Sequence, residues 1–253
     1  MLYLIGTGLN RYGLTKEALE TAKKCRILYI DNYTSIVDGG KIDELSKEIG
    51  KTIKIINRAD MEEKVRALIS EAKNEEVGIL VGGDPLIATT HKTILIEARK
   101  LGINFGLVHG ASILSAAIGE SGLDFYRFGQ ICTIPKWTEH YKPVSFYETI
   151  YENYKRGLHS LILLDYDKEH ESTIDVSYAV ELLEMAETEY GRGLINDNAR
   201  ILVLHDIGMV SRRVQFFSIT EAKKANFGHG VTTLIFPGKI TELEMEALEI
   251  AVK

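Results

Sequence analysis

Three glycine-containing turns punctuate the first half of the chain: Gly6-Thr7-Gly8, Gly82-Gly83-Asp84-Pro85 and Gly110-Ala111-Ser112. Glycine lets a backbone pass close to a ligand. Asp84 adds a carboxylate, whose other common use is to cap the next helix. Gly6 and Gly8 begin the G-x-G-x-x-G dinucleotide fingerprint, with Asp31 placed as its acidic ribose partner. The third glycine position is Arg11, so a helix cannot approach the strand as that fingerprint demands, and a nicotinamide dehydrogenase is disfavoured. His205-Asp206-Ile207-Gly208 carries the His-Asp pair of metal-dependent phosphohydrolases. That chemistry needs the pair on a helix with further ligands. Here Ile201 to Leu204 reads as a strand and the other histidines lack ligand spacing, so a strand-end pair is expected and no metal site. No G-x-S-x-G elbow, P-loop lysine motif, H-E-x-x-H or C-x-x-C occurs, which removes the usual signals for hydrolases and kinases.

The elements that must position these turns alternate. Met1 to Ile5 is a continuous apolar run, and a helix is expected from Thr15, its cap, to Cys25. Strand Arg26 to Asp31 follows, then a helix over Ile42 to Ile49 stopped by Gly50, and strand Thr52 to Ile56. Asp60 and Glu63 form a D-x-x-E cap for a helix to Lys73. Strand Val77 to Val81, a helix from about Thr90 to Lys100, strand Ile103 to His109 and a helix through Ala117 complete this half. Apolar strands separated by helices predict a parallel sheet covered on both faces, with ligands at the carboxyl ends of the strands, where the three turns lie. The second half predicts strands at Gln130 to Ile134, Ser160 to Leu164, Ile201 to His205, Arg213 to Ile219 and Thr232 to Phe236. Its helices are expected near Phe146 to Arg156, Val176 to Tyr190 and Glu242 to Val252. The short step between Ile207 and Arg212 marks an antiparallel pair, hence a mixed sheet. The fold class is α/β with two domains, residues 1–115 and 116–253, and a ligand cleft between them. No fixed-period repeat or low-complexity segment divides them.

Composition bounds the function. The 253 residues, 45% hydrophobic and 26% charged, support an ordinary core without staples. Two cysteines, Cys25 and Cys132, are expected as free thiols of a reducing compartment. The formal net charge of −6, and the absence of basic runs interleaved with aromatics, argue against nucleic-acid binding. No apolar run has the length of a membrane span, and the opening MLYLIGTGLNRYG reads as a strand and not a leader, so a cytoplasmic location is expected. The residues alone thus describe a two-domain α/β enzyme with a small-molecule cleft and leave the reaction open.

Longer motifs carry a resemblance. They are LYLIGTGL; CRILYIDNYTS; GGDPLIATTH at Gly82 to His91; VHGASILSAAIGESGLDFYRFG at Val108 to Gly129; TIPKW at Thr133 to Trp137; and GLHSLILLDYD at Gly157 to Asp167. Through nearly its whole length the chain resembles the diphthine synthases, a family of tetrapyrrole-methylase-like methyltransferases. The resemblance implies that S-adenosyl-L-methionine is bound between two domains and released as S-adenosyl-L-homocysteine. By motif matching, its contacts fall on Leu9, Asp84, Ile87, Ser112, Ile113, Leu163, His205 and Thr232. Leu9, Ile87, Ile113 and Leu163 would wall the adenosine, and Asp84 would accept from the amino group or ribose. Three positions depart from the family pattern. His205 stands where Ala is usual, Asp206 where Arg is usual, and Thr232 where His is frequent.

The implied reaction trimethylates the amino group of a 3-amino-3-carboxypropyl histidine on translation elongation factor 2, and the family forms homodimers. Eukaryotic relatives go on to a methyl ester, and the short C-terminal half here favours the three-methyl product. Asp165, His205 and Asp206 lie at strand ends where they can accept a proton, but no catalytic residue is assigned. Phe125, Tyr126 and Trp137 are available to face a quaternary cation, with core packing the expected use of Phe125. Two alternatives remain. A tetrapyrrole methylase acting on a precorrin is opposed by the ATTH and GLHSLILLD segments. A non-catalytic cofactor-binding module has only the three departures in its favour.

Overall fold

A computed structural model describes residues 1–31, 42–56, 65–167 and 172–252. The chain divides into two compact units, Met1–Ile113 and Leu114–Lys253.

In the first unit, strands β1 (Leu2–Gly6), β2 (Ile27–Asp31), β3 (Ile53–Ile56), β4 (Val77–Val81) and β5 (Phe105–Val108) form one sheet in the order β3-β2-β4-β1-β5. Every pairing is parallel, as apolar strands alternating with helices require. Side chains alternate across a strand, so adjacent apolar residues feed opposite faces. Leu4 and Ile79 join one core with Ile94 and Ala98 of α4 (Lys92–Lys100) and Ile69 of α3 (Val65–Glu71). Ile5 and Leu80 join the other, with Ala18 and Ala22 of α1 (Lys16–Lys24) and Leu45 and Ile49 of α2 (Ile42–Ile49). Thr15 caps α1 as expected, its hydroxyl accepting from the Ala18 N–H at 3.0 Å. The Asp60–Glu63 cap lies outside the described residues, as does the start of its helix.

Helix α5 (Ile113–Glu120) spans the division between the units. The second unit then holds β6 (Cys132–Ile134), α6 (Ser145–Lys155), β7 (Ser160–Leu164), the short hairpin β8 (Tyr166–Asp167) and β9 (Ser172–Thr173), and α7 (Val176–Tyr190). Strands β10 (Arg200–His205) and β11 (Arg213–Ser218), helix α8 (Ile219–Lys224), β12 (Thr232–Phe236) and α9 (Glu242–Ala251) follow. The sheet order is β11-β10-β12-β7-β6. Only β6 and β7 run parallel; β10 pairs antiparallel with both β11 and β12. This is the mixed sheet that the sequence predicts. Its core is built on Phe146, Tyr147, Val180, Leu183, Ile162 and Leu234. Burial raises the pKa of both free thiols, Cys25 to about 11 and Cys132 to about 12, so neither is a nucleophile at neutral pH.

Among the described residues no helix is long and apolar enough to cross a membrane. Phe125 does not pack in a core. It sits on a 3-10 turn with 63% of its surface exposed, edge-to-face with the still more open Tyr126. Trp137 takes the packed role instead: its indole N–H reaches the Pro143 carbonyl at 3.1 Å and its ring lies against the second unit's core.

Candidate active site

Strands β4, β1 and β5 are neighbours, so the bends that follow them share one edge of the sheet. The backbone locks them together. Gly8 and Gly83 exchange two hydrogen bonds, at 3.2 and 2.8 Å, and the Thr7 N–H and hydroxyl both donate to the Val81 carbonyl. A methyl group on Gly6 would come 2.6 Å from the Gly110 nitrogen and 2.7 Å from the Gly83 oxygen; one on Gly110 would strike the same Gly83 oxygen and meet the Gly8 nitrogen at 2.9 Å. Three bends from separate strands therefore touch at a point where only glycine fits. Leu9, Asp84, Ile87, Ser112 and Ile113 flank that point in the chain, so the first unit gathers five of the expected contacts. Leu9, Ser112 and Ile113 are half-buried, and Ile87 is 38% exposed.

Asp84 is only 7% exposed and both its oxygens are engaged. Oδ1 accepts from the Leu86 N–H at 3.0 Å, an Asx turn within the loop. Oδ2 lies 2.7 Å from Nδ1 of His109, whose ring is 70% exposed. His109 was missed as a site residue. Its signal was present in the sequence: a histidine at the carboxyl end of a strand, next to a glycine bend. Asp31 differs from the ribose-binding acid of a dinucleotide fold. It is fully buried, with His91 Nε2 2.9 Å from its Oδ2.

In the second unit, Leu163, Thr232 and His205 lie on the adjacent strands β7, β12 and β10. His205 is registered with Thr232, and Leu163 with Thr233. The departures at 205 and 232 thus face one another across one ladder, with His205 Nδ1 and Thr232 Oγ1 hydrogen-bonded at 2.8 Å. His205 is 2% exposed, and burial lowers its pKa despite the opposing pull of Asp206, so the ring is neutral at neutral pH. Asp206 accepts from the Ser211 hydroxyl at 2.8 Å and the Val231 N–H at 3.1 Å. Gly230 makes room for both side chains: a methyl group there would lie 2.5 Å from Asp206 Oδ1 and 2.6 Å from the His205 ring. Thr232 also lines a cavity of about 270 Å³ with Thr173, Ser177, Lys224 and Phe227. Among the described residues no group of three or more His, Cys, Asp or Glu side chains could hold a metal ion.

His159 of the GLHSL motif is a structural residue. Its Nδ1 accepts from the Gly238 N–H at 3.0 Å, so Nε2 carries the proton and donates to Glu244 Oε1 at 2.9 Å. Burial lowers the imidazole pKa more than Glu244 raises it. Burial would raise the Glu244 carboxyl, but donors from the Thr241 and Asp124 backbone, His159 and the Thr241 hydroxyl outweigh it, and its pKa falls to about 2. Arg127 pairs with the same carboxylate.

Residues 1–223 match the family model described as Tetrapyrrole (Corrin/Porphyrin) Methylases, so the fold and its bend-lined edge define a methylase of that class. The diphthine synthase of Methanothermobacter thermautotrophicus is 34% identical over 253 residues, spanning 99% of this chain and 96% of its own. Diphthine methyl ester synthase 2 of Candida albicans is 33% identical over 265 residues, spanning 98% of this chain and 88% of its own. A crystal structure of a diphthine synthase superposes with a TM-score of 0.87 at 30% identity, over 99% of this chain and 95% of that one. The chain belongs to the diphthine synthase family within the tetrapyrrole methylases, and it is a methyltransferase.

Proposed function

We propose that this methyltransferase uses S-adenosyl-L-methionine to trimethylate the amino group of the 3-amino-3-carboxypropyl histidine on translation elongation factor 2, giving diphthine for diphthamide biosynthesis. The observation that carries the reading is the convergence of three glycine bends at the carboxyl edge of β4, β1 and β5. That cradle suits a nucleoside bearing a sulfonium charge. Backbone comes close enough to follow a ligand, Asp84 supplies a buried carboxylate, and Leu9, Ile87 and Ile113 supply apolar surface. Leu163, His205 and Thr232 are the contacts assigned to the second unit, with Thr232 lining open space and His205 buried beside it on the neighbouring strand.

When bound, the donor supplies a methyl group on a positively charged sulfur, a leaving group that needs no acid. Held there, it would methylate a neutral amino nitrogen, which loses one proton to solvent before each of the three transfers, with the sulfide departing as the C–N bond forms. Holding nitrogen and carbon in line is worth on the order of 7–11 kcal/mol, so positioning suffices without a dedicated base. The candidate bases are otherwise occupied. Asp165 accepts from the Tyr166 and Lys136 N–H groups, and His205 and Asp206 are tied to Thr232, Ser211 and Val231.

The name of the archaeal relative records diphthine, the N-methylated product we propose, whereas that of the Candida protein records a methyl ester. We place the enzyme in the cytoplasm with its substrate, as a homodimer. The test supplies labelled donor with elongation factor bearing the unmethylated adduct, and separately with a precorrin. Three methyl groups on the adduct nitrogen support the reading. Label in a methyl ester, or in the corrin precursor, refutes it.

A further inference from the structure

The loop from Gly82 to His91 leaves and returns at the same place. It starts after Val81, which is registered with Asp31 across the β2–β4 ladder. It ends at His91, the residue before α4, whose Nε2 lies 2.9 Å from Asp31 Oδ2. Asp31 therefore touches both ends of the loop. Both side chains are buried, at 0% and 1% exposure, and neither can meet a substrate directly. The contact is at ion-pair distance but off hydrogen-bond alignment, and His91 Nδ1 has no hydrogen-bond partner among the described residues. A histidine retained only to satisfy the fold would be expected to saturate both nitrogens, as His159 does.

Between the two ends the backbone is strained. Ala88 has φ 54°, in the left-handed region that a Cβ disfavours, and it is one of two non-glycine residues with positive φ among those described. Such a conformation persists only where its surroundings over-determine it. Its surroundings include the Asx turn from Asp84 to Leu86, the Ile87 N–H on the Asp84 carbonyl at 3.3 Å, the Thr89 hydroxyl on the Pro85 carbonyl at 3.0 Å, and the terminal clasp at Asp31. Ile87, the exposed apolar residue assigned to the methyl donor, directly precedes Ala88.

We propose that Asp31 and His91 are positioning residues: their buried pair clasps the Gly82–His91 loop shut, holds Ala88 in its left-handed conformation, and so fixes Ile87 against the methyl donor. The pair joins the CRILYIDNYTS and GGDPLIATTH segments, 60 residues apart in sequence. The donor's place in this proposal rests on the functional reading above, whereas the clasp itself does not.

The test measures two things on the full chain: amide hydrogen exchange of residues 86–90 without ligand, and donor affinity by calorimetry. His91→Ala and, as a variant that keeps side-chain volume, Asp31→Asn are each expected to speed loop exchange about tenfold while exchange in β1 and β4 is unchanged. Each is expected to weaken donor binding about tenfold. Adding Ala88→Gly, which removes the strain, should restore most of the lost affinity in the His91→Ala background; a residue that merely fills space would not be rescued this way. If His91→Ala fails to fold, Asp31→Asn decides alone. Unchanged loop exchange in a folded variant overturns the clasp. Faster exchange in the variants, with a wild-type chain that does not bind S-adenosyl-L-methionine, keeps the clasp and refutes the donor reading. Faster exchange with unchanged donor affinity in the variants overturns the role assigned to Ile87.

Discussion

Each unit buries a histidine–carboxylate pair, His91 with Asp31 in the first and His159 with Glu244 in the second, and the two are built differently. In the second unit, His159 uses both nitrogens, and Glu244 takes donors from Thr241, Asp124, His159 and Arg127. In the first, His91 approaches Asp31 without alignment and leaves Nδ1 unpaired among the described residues. Buried polar groups are usually satisfied, because an unmade hydrogen bond costs roughly 1–3 kcal/mol. The saturated pair is a joint, tying the start of α9 to β7 and the 3-10 turn. The pair whose histidine leaves Nδ1 unpartnered among the described residues sits beside the bends expected to hold the methyl donor, where strain and unmet hydrogen bonds tend to gather.

That contrast can be broken first at Glu244. Glu244→Ala strands Arg127, His159 and two backbone N–H groups, and should cost about 3–5 kcal/mol in urea denaturation. A loss under about 1 kcal/mol would remove the distinction between joint and clasp. The same carboxylate sets an acid limit. Its pKa falls from 4.5 unfolded to about 2 folded, so its contribution is complete above the unfolded value and disappears as pH falls through that window. The depressed His159 imidazole acts in the same direction, its contribution being lost on acidification below the ordinary histidine range. Denaturation at a series of pH values should show the low-pH step, and Glu244→Ala should lack it.

Asp84→Ala is next in size. A charge-assisted bond to the donor is worth about 1.5–3 kcal/mol, so calorimetry on the folded variant should show a ten- to hundredfold loss of donor affinity. Equal affinity would empty the bend-lined edge of its assigned role. Thr232→Val, which leaves His205 Nδ1 without its partner, should cost about 1 kcal/mol in thermal unfolding. The smallest effect is expected from replacing the Asp31–His91 pair as a whole. Asp31→Asn with His91→Leu should change stability by about 1 kcal/mol or less, since exchanging a buried pair for uncharged residues is often neutral. A large loss would make it a second joint.

Much of the fold was legible because its signals are local. Continuous apolar runs such as VGILV mark buried parallel strands, and the close spacing of β10 and β11 announced their antiparallel pairing. Elements too short to show a period were not legible, namely the two-residue strands β8 and β9 and the six-residue α8. Helix α4 begins at Lys92 and not near Thr90, because the left-handed Ala88 and the Thr89–Pro85 contact keep the preceding residues in a turn. Phe125 was expected in the core by its type. Its place on a short turn decides otherwise, and no pattern in the sequence records that.

At the site, the bends were readable as glycine clusters at strand ends, and the resemblance assigned their neighbours. The pairings of His109 with Asp84, His91 with Asp31 and His205 with Thr232 span 25, 60 and 27 residues. They exist only once the strand order is known, and periodicity cannot supply that order.

The bends after β1, β4 and β5 are proposed to hold the methyl donor, and a crystal structure of the full chain with S-adenosyl-L-homocysteine shows whether they do. The expected result places the ligand against residues 6–9, 83–87 and 110–113, with a polar atom within hydrogen-bonding distance of Asp84. Ligand bound only in the second unit's cavity beside Thr232, with the bends untouched, would contradict it.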